Sequence, residues 1–202
     1  MTLKKSSSIP LFSFDFETEV NQEKYALIKG NETLLFVKAG LNGSCYGYNN
    51  KYLTIAKNIN QKFGYSIACV SNLNRNNNPL ERDLKVIHKL FNHKIKKIYY
   101  MGYSNGALIG ACYAHLFQDI QKIVLINPPI LRHWLKIKPA LQKINNPTTF
   151  IFSNQDPSFP YIELLTFVKN PQINISIIQN TDHYFSNKLD EFINLPEKYF
   201  AP

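Results

Sequence analysis

The most constraining feature of this 202-residue chain is a regular switching of its hydrophobic period. Short runs of nearly continuous apolar character occur at 33–39 (TLLFVKA), 66–71 (SIACVS), 97–101 (KIYYM), 122–126 (KIVLI), 148–153 (TTFIFS) and 173–178. A strand without a polar face needs cover on both sides, and a parallel sheet between two helix layers supplies it. Some of the intervening stretches carry the matching helical stripe. Tyr52, Ala56, Ile59 and Phe63 form one, ended by Gly64, and Leu80, Leu84, Ile87 and Phe91 form the next. Helices are also predicted over 105–117, 161–169 and 187–194, with a short one over 131–144 that Pro139 interrupts. Upstream, residues 11–19 alternate, with Phe12, Phe14 and Phe16 on one face, and a turn at 21–23 leads to a second strand at 25–29. A hairpin followed by βα repeats predicts a single α/β domain over 1–202, with a mostly parallel twisted sheet and helices on both faces.

Composition narrows the partners. Lys and Arg number 23 against 14 Asp and Glu, a formal charge of +9, which raises nucleic acid or an anionic membrane as candidates. No run of five basic residues occurs, and the densest cluster, His93-Lys94-Ile95-Lys96-Lys97, falls where a helix hands over to a strand. The abundance of Asn beside Lys and Ile fits a codon bias, so neither nucleic acid nor stable membrane association is expected. No stretch approaches the roughly 18 consecutive apolar residues of a membrane span. The opening lysines are followed by Ser and Pro instead of an apolar run, so no secretory signal is read there. Cys45, Cys69 and Cys112 form neither a C-x-x-C pair nor a zinc spacing with histidine. A cytoplasmic protein without metal or cofactor is expected, and its oligomeric state is left open.

Chemistry in such sheets gathers at the carboxyl ends of the strands. The tip after KIYYM reads Gly102-Tyr103-Ser104-Asn105-Gly106, a G-x-S-x-G turn between a buried strand and a small-residue helix. That turn holds a serine hydroxyl clear of the sheet at a helix N-terminus, where developing negative charge is favoured. Gly43-Ser44-Cys45-Tyr46-Gly47 offers a competing G-x-C-x-G, but its strand ends near Gly40, too early for Cys45 to sit at an elbow. Cys45 is therefore read as a loop residue near the site. A serine needs a base, and the base an orienting acid. Among His88, His93, His115, His133 and His183, only His183 follows a late strand. Asp156 stands just past TTFIFS, and its rival Asp182 adjoins His183. Immediate neighbours on an extended chain point apart, so Asp156 is preferred.

Ser104, Asp156 and His183, in that order after successive strands, resemble the α/β-hydrolase superfamily. The elbow GYSNG, the turn QDP and the segment TDHYF each look like motifs of that family, and TDHYF is similar to the ending of small esterases and dienelactone-hydrolase-like proteins. The resemblance spans nearly the whole chain and implies about eight strands, with the first hairpin as the antiparallel part. It further implies an oxyanion hole from the amide of Asn105 and one in the loop after the third strand, where matching Gly40 to the family glycine selects Leu41. That loop lacks the family's usual His-Gly or Pro-Gly opening.

The expected function is hydrolysis of a small carboxylic ester or thioester through an acyl-enzyme on Ser104. Two alternatives stand beside it. Acyl transfer uses the same residues, and a non-catalytic binding member of the fold is opposed by the intact Ser–Asp–His set. Only residues 128–146 separate the sixth and seventh strands, so little or no cap is expected, the Asn-rich 72–78 loop being the other possible cover. An open site of this kind implies acyl chains of about two to six carbons, because longer chains need walls to bury against. Tyr46, Tyr48, Phe159 and Tyr184 are candidates to line an acyl pocket, with packing as their commoner role.

Overall fold

The computed structural model describes residues 13–73 and 79–202. Its strands are β1 (Phe16–Val20), β2 (Glu23–Ile28), β3 (Thr33–Lys38), β4 (Ser66–Val70), β5 (Lys97–Tyr103), β6 (Ile120–Ile126), β7 (Thr148–Ser153) and β8 (Ile173–Ile178). They form one eight-stranded sheet in the order β1-β2-β4-β3-β5-β6-β7-β8. β1 and β2 make an antiparallel hairpin, β2 runs antiparallel to β4, and every pairing from β4 through β8 is parallel. The hairpin closes through Asn21 and Gln22, both at positive φ (51° and 69°), the two-residue turn whose twist matches its strands.

The unbroken apolar runs arise because each parallel strand feeds two cores. In β3, Leu34 and Phe36 point into one, and Leu35 and Val37 into the other. The first core is covered by α2 (Pro79–Leu90), α3 (Asn105–Tyr113) and α4 (Trp134–Leu141), the second by α1 (Lys51–Phe63) and α5 (Leu189–Phe200). α1 ends where the periodicity stops: Gly64 takes φ 69° and its N–H caps the Asn60 carbonyl. No helix among the described residues is long and apolar enough to cross a membrane.

Several local expectations differ from the structure. Ser13 and Phe14 precede the strand, which starts at Phe16, and the predicted positions 11 and 12 lie outside the described residues. Phe14 is buried but Phe16 is 47% exposed, because β1 is an edge strand with a neighbour on one side only. Residues 161–169 read as a helix, yet Phe159–Phe167 is a 3-10 helix in which only Leu165 is buried. Without a buried stripe, little rewards the wider α turn. The α-helix predicted over 105–117 stops at Tyr113 and tightens into a 3-10 turn at Ala114–Leu116. The closing helix runs on through Pro196 to Phe200, since Phe192, Leu195, Pro196 and Phe200 all bury. α4 likewise includes Pro139, with Ile137, Ala140 and Leu141 inside.

Candidate active site

β5 ends at Tyr103 and α3 begins at Asn105, leaving Ser104 alone at the corner with φ 52° and ψ −115°. Such a backbone costs a non-glycine residue about 1–3 kcal/mol and persists only where its surroundings impose it. The Ser104 N–H donates to the Ile126 carbonyl at 2.7 Å, and the Ser104 carbonyl accepts from Leu108 N–H at 3.0 Å. Both flanking glycines are sterically required. A Cβ on Gly102 would lie 2.5 Å from the Gly106 carbonyl oxygen, and one on Gly106 would lie 2.3 Å from that of Lys38.

The two other residues come from the loops that follow β7 and β8. Asp156 occupies the turn after β7, where its N–H bonds the Ser153 carbonyl at 3.0 Å. Its side chain is fully buried. Oδ1 accepts from Ser158 N–H at 2.6 Å, and Oδ2 accepts from His183 Nδ1. The other ring nitrogen, Nε2, lies 3.1 Å from Ser104 Oγ. An Nδ1 facing a carboxylate carries the hydrogen, which leaves Nε2 as the acceptor for the serine hydroxyl. Asp182, the rival acid, turns away. Its carboxylate accepts from Tyr184 N–H, Ser186 N–H and Ser186 Oγ at 3.0, 2.9 and 2.7 Å, and the Ser186 bonds hold its pKa below the usual carboxylate range.

The base is fixed through its backbone as well. The His183 carbonyl accepts from Tyr103 Oη at 2.7 Å and from Asn127 Nδ2 at 3.2 Å. The Gln155 N–H donates to the Thr181 carbonyl at 3.1 Å, joining the loops that carry Asp156 and His183. Neither Tyr103 nor Asn127 stood out in the sequence. Asn127 did carry a usable signal, its place at the tip of β6 before Pro128-Pro129.

Leu41 sits in the loop after β3 and shares one groove with Ser104 and Asn105. Gly40 approaches the serine so closely that a Cβ there would stand 3.2 Å from Ser104 Cβ. Asn105, first in α3, has an amide with no acceptor inside the helix. Asn72 clamps the loop. Its side-chain Nδ2 donates to the Ala39 carbonyl and to Asn105 Oδ1, both at 3.0 Å. Its backbone N–H donates to the Gly43 carbonyl, and its carbonyl accepts from Asn42 N–H. Asn72 headed an Asn-rich loop in the sequence, which hid it. Residues 74–78 of that loop lie outside the described residues.

Beneath the clamp lies a buried ionic cluster. Lys38 Nζ is 2.7 Å from Asp83, 3.9 Å from Glu23 and 2.6 Å from the Ser71 carbonyl. Glu23 accepts from Ser71 Oγ and from Leu73 N–H, so both neighbours of Asn72 are held. Arg82 pairs with Asp83 and Glu23, and Tyr25 Oη donates to Asp83. Burial pushes the Lys38 pKa down while Asp83 and Glu23 oppose the shift. Removing one member of a buried pair typically costs about 3–5 kcal/mol. The sequence signal was one lysine ending an otherwise apolar run.

The groove holding Ser104 has a volume of about 520 Å³. α4 forms one wall through Pro129, Arg132, His133 and Lys136 on and before it, so the short 128–146 segment does flank the site. The four proposed aromatics do not line this groove. Tyr46 donates to Glu17, Tyr48 is exposed, Phe159 packs on the first core, and Tyr184 stands edge-on to His183 at 5.2 Å. Cys45 is buried in the second core, and burial raises its thiol pKa. A hydroxyl beside a base that a buried carboxylate orients is competent to add to a carbonyl carbon.

No protein-family model and no curated protein sequence matches the chain. Solved structures do. Est1E from Butyrivibrio proteoclasticus superposes with a TM-score of 0.70 at 13% identity, covering 91% of this chain and 96% of its own. Dienelactone hydrolase from Anabaena variabilis gives 0.65 at 18% identity, covering 92% and 94%. A serine hydrolase from Xanthomonas campestris described as lacking a lid gives 0.62 at 19% identity, covering 89% and 91%. The chain has the α/β-hydrolase fold.

Proposed function

We propose that this protein is a serine hydrolase that cleaves a small carboxylic ester or thioester through an acyl-enzyme on Ser104. The observation that carries the proposal is the 3.1 Å approach of His183 Nε2 to Ser104 Oγ, with Nδ1 of the same ring bonded to the buried Asp156 carboxylate. As Oγ attacks the carbonyl carbon, its proton passes to Nε2, and Asp156 stabilises the resulting imidazolium without taking the proton. The amides of Asn105 and Leu41 stabilise the oxyanion of the tetrahedral intermediate. Collapse breaks the bond to the alcohol or thiol, which leaves with the proton from Nε2. Water then adds to the acyl-enzyme by the same route and releases the acid and free Ser104.

The test is direct. A fluorophosphonate probe should modify Ser104, identified by peptide mass, and the same preparation should hydrolyse p-nitrophenyl butyrate and a butyryl thioester. Folded protein that neither labels nor turns over these substrates refutes the proposal.

A further inference from the structure

The groove that starts at Ser104 runs along one stripe of α3 and ends among cations. Its floor passes from Ser104 over Leu108, Ile109 and Cys112 to Tyr113. At about 1.5 Å rise per residue, Tyr113 lies about 13 Å along the helix from the serine. Arg132 and His133, in the 3-10 turn that precedes α4, and Lys136, in the first turn of α4, line the groove together. Lys136 Nζ donates to Tyr113 Oη at 2.6 Å, which fixes the ammonium at the far end. Among the described residues no carboxylate lines this groove, and Arg132 and Lys136 make no ion pair. An apolar middle followed by unneutralised cations is complementary to an apolar spacer that ends in an anion.

We infer that the substrate carries an anionic group, a carboxylate or phosphate, on the arm that lies in this groove, about 8–13 Å from the scissile carbonyl. An extended chain of about seven to ten bonds covers that distance. The inference rests on the hydrolase reading above and adds the substrate class to it.

The experiment compares kcat/KM for p-nitrophenyl monoesters of octanedioate and butanedioate, for p-nitrophenyl 8-phosphooxyoctanoate, and for neutral p-nitrophenyl octanoate and butyrate. The octanedioate monoester should exceed octanoate at least about tenfold, equivalent to about 1.4 kcal/mol, and added salt should shrink the margin. The butanedioate monoester is too short to reach the cations and should gain little over butyrate, which separates the groove from a general attraction to a basic protein. A lead by either the carboxylate or the phosphate ester supports the inference and identifies the preferred anion. The margin should collapse in R132Q/K136Q and survive in K138Q, which removes a charge from the same helix outside the groove. Failure to hydrolyse butyrate would defeat the hydrolase reading itself, and calorimetric binding of octanedioate would then still test the groove. Butyrate turnover with no octanedioate margin, or a margin intact in R132Q/K136Q, overturns the inference alone.

Discussion

Asn72 Nδ2 donates to Asn105 Oδ1 at 3.0 Å and so ties the loop bearing Leu41 to the residue that follows Ser104. The same nitrogen holds the Ala39 carbonyl, and spacing between the two proposed oxyanion donors depends on this clamp. Asn72→Ala should lower kcat by about 10- to 100-fold, below the 10²–10³ typical for losing a donor outright, with a smaller change in KM. The measurement is kcat per fluorophosphonate-titrated site. A variant that melts earlier but keeps kcat per site would reduce Asn72 to a structural role.

Ser104→Ala should abolish ester hydrolysis and probe labelling together, whereas Cys45→Ala should keep most activity. Burial of Cys45 in the second core raises its thiol pKa and removes it from the groove. Activity that survives at Ser104→Ala and dies at Cys45→Ala would reverse the assignment.

Asp156→Asn should reduce kcat by about 10⁴, because a neutral amide no longer selects the histidine tautomer that accepts from serine. Asp182→Asn should cost far less, since that carboxylate serves Tyr184 and Ser186. Steady-state kinetics on the pair decides, and equal losses would mean that His183 is oriented from both sides.

Lys51 makes the stability of the fold depend on pH. It is 3% exposed, faces the rings of Tyr103 and Phe192 at 4.2 and 4.0 Å, and burial lowers its pKa to about 8. The unfolded chain keeps the usual value near 10.4. Between these values the unfolded state binds more protons, so this residue makes stability rise with pH, and below about 8 it imposes a constant cost. Lys51→Met should therefore be more stable than the parent by roughly 1–3 kcal/mol at pH 7, after the lost cation–π contacts are allowed for. The advantage should shrink between pH 8 and 10.5. Denaturant midpoints of both proteins across that range provide the check, and a difference independent of pH would contradict the titration.

Neutral acyl chains should show a kcat/KM optimum at about two to six carbons, since burial gains about 0.8 kcal/mol per CH₂ only against apolar wall. Leu108, Ile109 and Cys112 supply that wall before the cations begin. A rate jump at the solubility limit of a long-chain ester requires a moving cover, and its appearance would reveal one.

The sheet, its helix layers and the corner at Ser104 were legible because each follows from a local pattern: unbroken apolar runs, stripes at helical spacing, and a G-x-S-x-G turn between them. Chain geometry alone favoured Asp156 over Asp182 as the carboxylate facing His183, and the contact lies there. The supporting residues were opaque for a common reason. Asn72 acts through bonds to Ala39 and Asn105, 33 residues away in each direction, and Tyr103 and Asn127 hold a carbonyl 80 and 56 residues ahead. No short window of sequence contains both ends of such a bond. His133 follows no late strand, and only the packing of α4 beside α3 brings it to the groove.

The close passage of Gly106 under the Lys38 carbonyl has a consequence for how this site can change over generations. The proposed oxyanion donors are peptide groups on two backbone segments that meet with no side chain between them, so main-chain contact and the Asn72 clamp together set their separation. Which amino acid stands at 41 is then nearly free to drift as far as the hole is concerned, while the clamped Asn105 and the glycine at 106 are not. A loop without a His-Gly or Pro-Gly opening can still present the same pair of amides, and divergence at position 41 is a poor guide to lost activity.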